Sequence, residues 1–232
     1  MILPAHEVHL WHTKVDELST DMDFYKNLLS PAEIQKADSF KFVRDRRVYT
    51  LARGLLRTLS GRYLNRVPAH ITFDEGEYGK PYFNFDTAIK FNISHSGNRI
   101  VLAFVRNNDI GVDIESIKND FEVMEVARHF FSSDEILVLE ALPEKAKVAA
   151  FYRCWTRKES FIKAKGMGLS LPLTSFSVSL DVESAELLRT AWDAAEKSEW
   201  YMFGFAPDDR YIGALAVRGH LASVRQMKWV DK

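Results

Sequence analysis

Residues 147–165, K-V-A-A-F-Y-R-C-W-T-R-K-E-S-F-I-K-A-K, place Val148, Phe151, Trp155 and Ile162 on one face of a helix. Gly166 and Gly168 come next, as glycine does where a helix ends. One stretch upstream has the same character. Residues 47–64, R-V-Y-T-L-A-R-G-L-L-R-T-L-S-G-R-Y-L, put Val48, Leu51, Leu55, Leu59 and Tyr63 on one stripe. The segments downstream of the two helices are also alike. After the first, beyond Pro68, come a strand-like Ile71–Phe73 and a hairpin-like pair ending in Ile100–Val105. After the second come Ser175–Leu180, Trp200–Ala206 and Tyr211–Val217, with Pro207-Asp208-Asp209 as a turn between the last two. The pattern predicts an α+β chain of two similar halves, each a long helix packed on a small antiparallel sheet. The polar run Asn107-Asn108-Asp109 marks the join, dividing residues 1–108 from 109–232. A site shared by two such halves belongs in the cleft between them. A further helix start is signalled by Ser132 and Glu135, which have the spacing of a capping box.

Composition narrows the function. The chain of 232 residues is 47% hydrophobic and 27% charged, an ordinary globular balance. The net charge of −1 offers no global attraction to nucleic acid, so any anion site has to be local. Residues 36–66 are such a place, rich in lysine and arginine against only Asp38 and Asp45. A single cysteine, Cys154, leaves no internal disulfide and fits a reducing compartment. The first residues lack the apolar run of a signal peptide, and no apolar stretch is long enough to span a bilayer. A cytoplasmic protein without membrane attachment is expected.

Four constellations could carry chemistry. In Ile110-Gly-Val-Asp-Ile-Glu115, Asp113 and Glu115 are two apart and share one side of a strand. Two adjacent carboxylates repel unless a cation lies between them, and Mg²⁺ suits such oxygen ligands. The alternative is a solvent-facing strand edge. On the 147–165 helix, Glu159 and Lys163 are four apart and share a face, as a surface ion pair would. If that face meets Asp113 and Glu115, Glu159 becomes a third ligand or a base. Phe91-Asn-Ile-Ser-His-Ser-Gly97 reads as a strand entering a turn whose Ser94 and His95 could donate to a phosphate, or as a plain polar hairpin. Last, Arg46, Arg53 and Arg57 line a polar helical stripe preceded by Lys36 and Lys41. Most of these read as a solvated face. C-x-x-C, H-E-x-x-H, G-x-S-x-G and G-x-G-x-x-G are all absent, which disfavours zinc hydrolysis, serine hydrolysis and dinucleotide redox chemistry.

In this order and spacing, F-N-I-S-H-S-G at 91–97, I-G-V-D-I-E at 110–115 and W-T-R-K-E-S-F-I-K-A-K-G-M-G-L at 155–169 resemble the 4′-phosphopantetheinyl transferase superfamily. The likeness is to its longer, two-half branch, typified by the surfactin synthetase activator. The resemblance implies a pseudo-twofold fold with coenzyme A, the donor substrate, in the cleft. It implies Mg²⁺, with Mn²⁺ also acceptable, held by Asp113, Glu115 and Glu159. It further implies coenzyme A contacts from Lys36, Lys80, Ser94 and His95, and assistance to the leaving group from Lys163. The partner would be an apo acyl- or peptidyl-carrier protein. Because one chain supplies both halves, a monomer is expected. Phe121, Met124, Phe130 and Phe131, with Lys118 and Arg128, fall where the family meets carrier helices; the bland reading of those aromatics is core.

Overall fold

The computed structural model describes residues 1–18, 22–221 and 223–230. In chain order these form β1 (Glu7–Lys14), α1 (Met22–Asn27), α2 (Pro31–Asp38), α3 (Val43–Leu64), β2 (Phe73–Glu75), β3 (Pro81–Phe83), β4 (Ile89–Ser96), β5 (Arg99–Arg106) and β6 (Ile110–Ser116). There follow α4 (Val123–Phe130), α5 (Ser133–Ala141), α6 (Glu144–Lys165), β7 (Phe176–Val178), β8 (Leu187–Thr190), β9 (Trp200–Asp208), β10 (Tyr211–Arg218) and β11 (Ser223–Lys228). The α+β class is as expected. Both long helices form, and each begins a few residues earlier than its apolar stripe suggested. Each spans 22 residues and ends on a left-handed residue, Asn65 (φ 52°) after α3 and Gly166 (φ 69°) after α6.

The likeness of the two halves extends to a device that periodicity does not show. Helix α2 opens with a capping box of Ser30 and Glu33, and α5 with one of Ser132 and Glu135. Both glutamates are buried, and each is held by a base of the adjoining long helix. Glu33 pairs with Arg57 at 2.6 Å and with Arg53 at 2.7 Å, and Glu135 pairs with Lys158 at 2.8 Å. Arg57 and Lys158 are each the fifteenth residue of their helix. Both also donate to backbone carbonyls, Arg57 to Ile71 and Lys158 to Leu173 and Phe176. The polar stripe expected to be solvated thus turns inward at Arg53 and Arg57, because a buried carboxylate requires paired charge.

The sheets carry the helices. The first is ordered β11-β1-β5-β4 and the second β6-β10-β9. Helix α3 packs into one apolar cluster with the first sheet, and α6 into another with the second. A third cluster draws Val8, Leu10, Val101 and Val105 from the first sheet together with Val112 and Leu215 from the second. That is why β5 is continuously apolar rather than alternating: it is buried on both faces. The first sheet is mixed, not purely antiparallel. Strand β11 returns from the far end of the chain and pairs parallel to β1, on the side that β5 leaves open.

Candidate active site

Helix α6 reaches the Asp113–Glu115 segment of β6 because of one glycine. A Cβ built on Gly111 of β6 would stand 2.0 Å from the Ser160 carbonyl oxygen and 2.4 Å from the Ala164 nitrogen. No side chain fits there, so backbone rests on backbone, and the face of α6 bearing Glu159 and Lys163 is laid along β6. Residues distant in sequence thereby meet. The Lys163 ammonium lies 2.5 Å from Asp113 Oδ1 and 3.2 Å from Ser94 Oγ.

Strands β4 and β6 adjoin without sharing a ladder among the described pairings; side chains of β4 make the connection. Asn92, Ser94 and Ser96 share one face at period two. Asn92 accepts from the Val112 N–H at 2.8 Å, Ser94 donates to Asp113 Oδ1 at 3.0 Å, and Ser96 donates to Glu115 Oε2 at 2.7 Å. Asp113 is buried, and its second oxygen, Oδ2, has no partner.

The electrostatics follow from this crowding. Burial, with the Asp113 charge adding to it and Lys163 opposing, pushes Glu159 up from 4.5 to about 7. Glu115 is raised by burial and then by Asp113. His95 is reachable by solvent, yet it stands within a concave wall. Crowding by protein atoms, and then the Lys163 charge, lower its pKa.

Ser94, His95 and Lys163 line a cleft of about 320 Å³ together with Lys36, Tyr49 and Arg53. A second hollow of about 550 Å³ continues from it, sharing Lys36, Tyr49 and Arg53 and reaching Ser30 and Arg57. Lys36 is exposed at the junction. Lys80 takes a different place. Its ammonium donates to the carbonyls of Ile110 at 2.9 Å and Ala164 at 3.1 Å, tying the β2–β3 hairpin to β6 and α6. Burial lowers its pKa to about 8, while its neighbours Gly79 and Pro81 form the cleft wall.

The structure therefore brings together Asp113, Glu115, Glu159, Lys163, Ser94 and His95, and sets Lys36 along the same cleft. Among the described residues, no three His, Cys, Asp or Glu side chains are gathered closely enough to hold a metal ion as they stand. The donor chemistry nevertheless fits a hard divalent cation: carboxylate oxygens, one of them buried and unpartnered. Sequence reasoning missed Gly111 as the point of contact, Ser96 as a carboxylate partner and the buried Lys158. Only Ser96 carried a signal, the Asn-x-Ser-x-Ser alternation facing Asp-x-Glu. Of the aromatics assigned to docking, Phe131 is core, stacked 5.2 Å from Phe151. Phe130 is exposed and packs edge-on against Trp155, and Leu137 and Val138 of α5 add exposed apolar surface beyond those aromatics.

An α+β fold with buried carboxylates beside a cleft lined by Lys36, Arg53 and Lys163 offers the charges that a phosphorylated substrate and a cation would need. Residues 109–216 match the profile of the 4′-phosphopantetheinyl transferase superfamily, and residues 11–107 that of the 4′-phosphopantetheinyl transferase N-terminal family. The chain is 32% identical over 222 residues to the 4′-phosphopantetheinyl transferase HetI of a Nostoc species, covering 94% of this chain and 91% of that one. It is 38% identical over 156 residues to the 4′-phosphopantetheinyl transferase Sfp of Bacillus subtilis, covering 67% and 68%. It is 29% identical over 209 residues to the L-aminoadipate-semialdehyde dehydrogenase-phosphopantetheinyl transferase of Rattus norvegicus, covering 82% and 67%. The chain belongs to the 4′-phosphopantetheinyl transferase superfamily, whose members move phosphopantetheine from coenzyme A to carrier proteins. None of its described helices is long and apolar enough to cross a membrane.

Proposed function

We propose that this chain transfers the 4′-phosphopantetheine arm of coenzyme A to a serine of an apo acyl- or peptidyl-carrier protein. The reaction depends on Mg²⁺ and releases adenosine 3′,5′-bisphosphate. The observation that supports this reading is the buried, unpartnered Asp113 Oδ2, with Glu159 near enough to feel the charges of Asp113 and Glu115, beside a cleft lined by Lys36, His95 and Lys163.

The serine oxygen attacks the phosphorus bearing the pantetheine arm, and the bond from that phosphorus to the oxygen of adenosine bisphosphate breaks. Three obstacles stand in the way: charge repulsion, the serine proton and charge on the leaving group. Asp113, Glu115 and Glu159 would hold the Mg²⁺ ion, which when bound supplies charge neutralisation and orientation to the pyrophosphate; Mn²⁺ suits the same oxygens. Glu159 accepts the serine proton. Without a cation its pKa stands at about 7, and a bound cation favours the ionised form, the form able to take a proton. Lys163 exchanges its contact with Asp113 for the departing phosphate, where its charge offsets the one that develops. Lys36 and a neutral His95 bind the other phosphates along the cleft. The carrier helices dock on α4 and α5, where Phe130, Leu137 and Val138 are exposed. One chain supplies both walls of the cleft, so the enzyme works as a monomer, and its single cysteine suits the reducing cytoplasm.

Incubation with coenzyme A, Mg²⁺ and a panel of apo-carriers, read by intact mass, tests this. At least one carrier should gain one phosphopantetheine, and chelation of the metal should prevent it. Phosphate release from coenzyme A with no carrier modified would overturn the reading.

A further inference from the structure

We infer that Ser94 and Ser96 of β4 are positioning residues, each fixing one oxygen of a seam carboxylate so that the other oxygen is left for the divalent cation. This rests on the metal reading above and assigns Ser94 a part different from the phosphate contact that the family resemblance implies.

A serine hydroxyl has one proton to give, and what else the oxygen accepts decides where the proton points. Ser96 Oγ accepts the Ser116 backbone N–H at 3.1 Å, so its proton goes to Glu115 Oε2, 2.7 Å away. Ser94 Oγ accepts from the Lys163 ammonium at 3.2 Å, so its proton goes to Asp113 Oδ1 at 3.0 Å. An ionised carboxylate can only accept, so both hydroxyls donate to their carboxylates, Ser96 having only a longer 3.5 Å contact with Ser116 Oγ as an alternative. A donor of that kind favours the ionised acid and pins its torsion. The consequence is visible at Asp113, whose Oδ1 is doubly engaged while Oδ2 is buried without a partner.

Ser96 is held independently of the carboxylate it orients. In the turn just after it, Gly97 adopts φ 56° against the Tyr211 hydroxyl, leaving no room for a Cβ, and the Asn98 N–H donates to that same hydroxyl at 3.0 Å. Arg99 then forms an ion pair with Asp208 at the end of β9. The turn is thus anchored to the second sheet at Tyr211 and Asp208, and Glu115 is presented from a fixed support. In metal sites, partners of this kind govern affinity nearly as strongly as the ligands they orient.

The test separates cation binding from donor binding. Mn²⁺ is titrated into the full chain without coenzyme A and followed by electron paramagnetic resonance, for the parent, Ser96→Ala and Ser94→Ala. Coenzyme A binding is measured by calorimetry in the presence of a chelator, and the melting temperature is recorded for each protein. Each substitution should weaken Mn²⁺ by about tenfold or more, and Ser96→Ala, whose side chain is not part of the cleft lining, should leave metal-free coenzyme A affinity at the parental value. Ser96 is only half-buried near a strand end, so Ser96→Ala keeps the test alive if Ser94→Ala fails to fold. Parental Mn²⁺ affinity in a folded Ser96→Ala variant overturns the inference, and so does a loss confined to coenzyme A binding. A parent that binds no Mn²⁺ would instead bring down the metal site itself, and this inference with it.

Discussion

Glu159→Gln should stabilise the metal-free protein while abolishing transfer. The folded chain holds Glu159 at a pKa of about 7 against the ordinary 4.5, chiefly through burial and then through Asp113. At 1.36 kcal/mol per pH unit the full penalty for its charge is about 3 kcal/mol. The group is only half-buried, and screening by solvent reduces this to about 1–2 kcal/mol. The pH window is set by the direction of the shift. Below 4.5 the folded and unfolded chains both keep the proton, and the charge penalty is absent. Between 4.5 and about 7 the unfolded chain releases a proton that the folded chain retains, so parental stability falls as pH rises. Above about 7 the folded chain carries the whole penalty. A neutral glutamine escapes it. In a chelator at pH 8 the variant should melt about 2–8 °C above the parent, at 2–4 °C per kcal/mol for a chain of this size. Near pH 4.5 that advantage should vanish. Differential scanning calorimetry at both pH values, paired with intact-mass transfer assays at pH 8, provides the measurement. A parent that is equally or more stable than Glu159→Gln at pH 8 without metal would refute the claim that the seam is electrostatically strained. Transfer at near the parental rate would remove Glu159 from the chemistry.

Other outcomes are expected from single contacts. Gly111→Ala forces a methyl group against the α6 backbone, where no flexible side chain can yield, and should cost about 3 kcal/mol or more in urea unfolding, with activity lost. Lys158→Met leaves the Glu135 carboxylate buried without its counter-charge, and chemical denaturation should show a loss of about 3–5 kcal/mol. Leu137→Asp, on an exposed face of α5, should raise KM for the carrier at least about threefold, a loss of roughly 0.7 kcal/mol by the usual affinity arithmetic, while KM for coenzyme A and the melting temperature hold. An unchanged carrier KM would move the docking surface elsewhere.

Much of this protein is written in local pattern. The three- and four-residue spacing of Val48 through Tyr63 and of Val148 through Ile162 reports the two long helices directly, because a helix buries one stripe. Ser132 and Glu135 announce a helix start because capping is a contact between near neighbours. The alternation of Asp113 and Glu115 places two acids on one side of a strand for the same reason of short range. The strands β1 and β11 are not legible in this way: their pairing joins opposite ends of the chain, and neither segment signals a partner so far away.

The sequence alone therefore determined on which elements the candidate side chains ride, since helix and strand periods are properties of neighbouring residues. Tertiary structure alone decided which of them meet. Glu159 and Lys163 approach Asp113 because Gly111 lets two backbones touch, and Lys80 is spent on carbonyls of β6 and α6 because the hairpin folds over them. Arg57 read as part of a solvated stripe and Lys158 carried no signal, until burial beside a capping glutamate made each an internal counter-ion. Desolvation and cross-chain approach depend on packing that no single window of sequence contains.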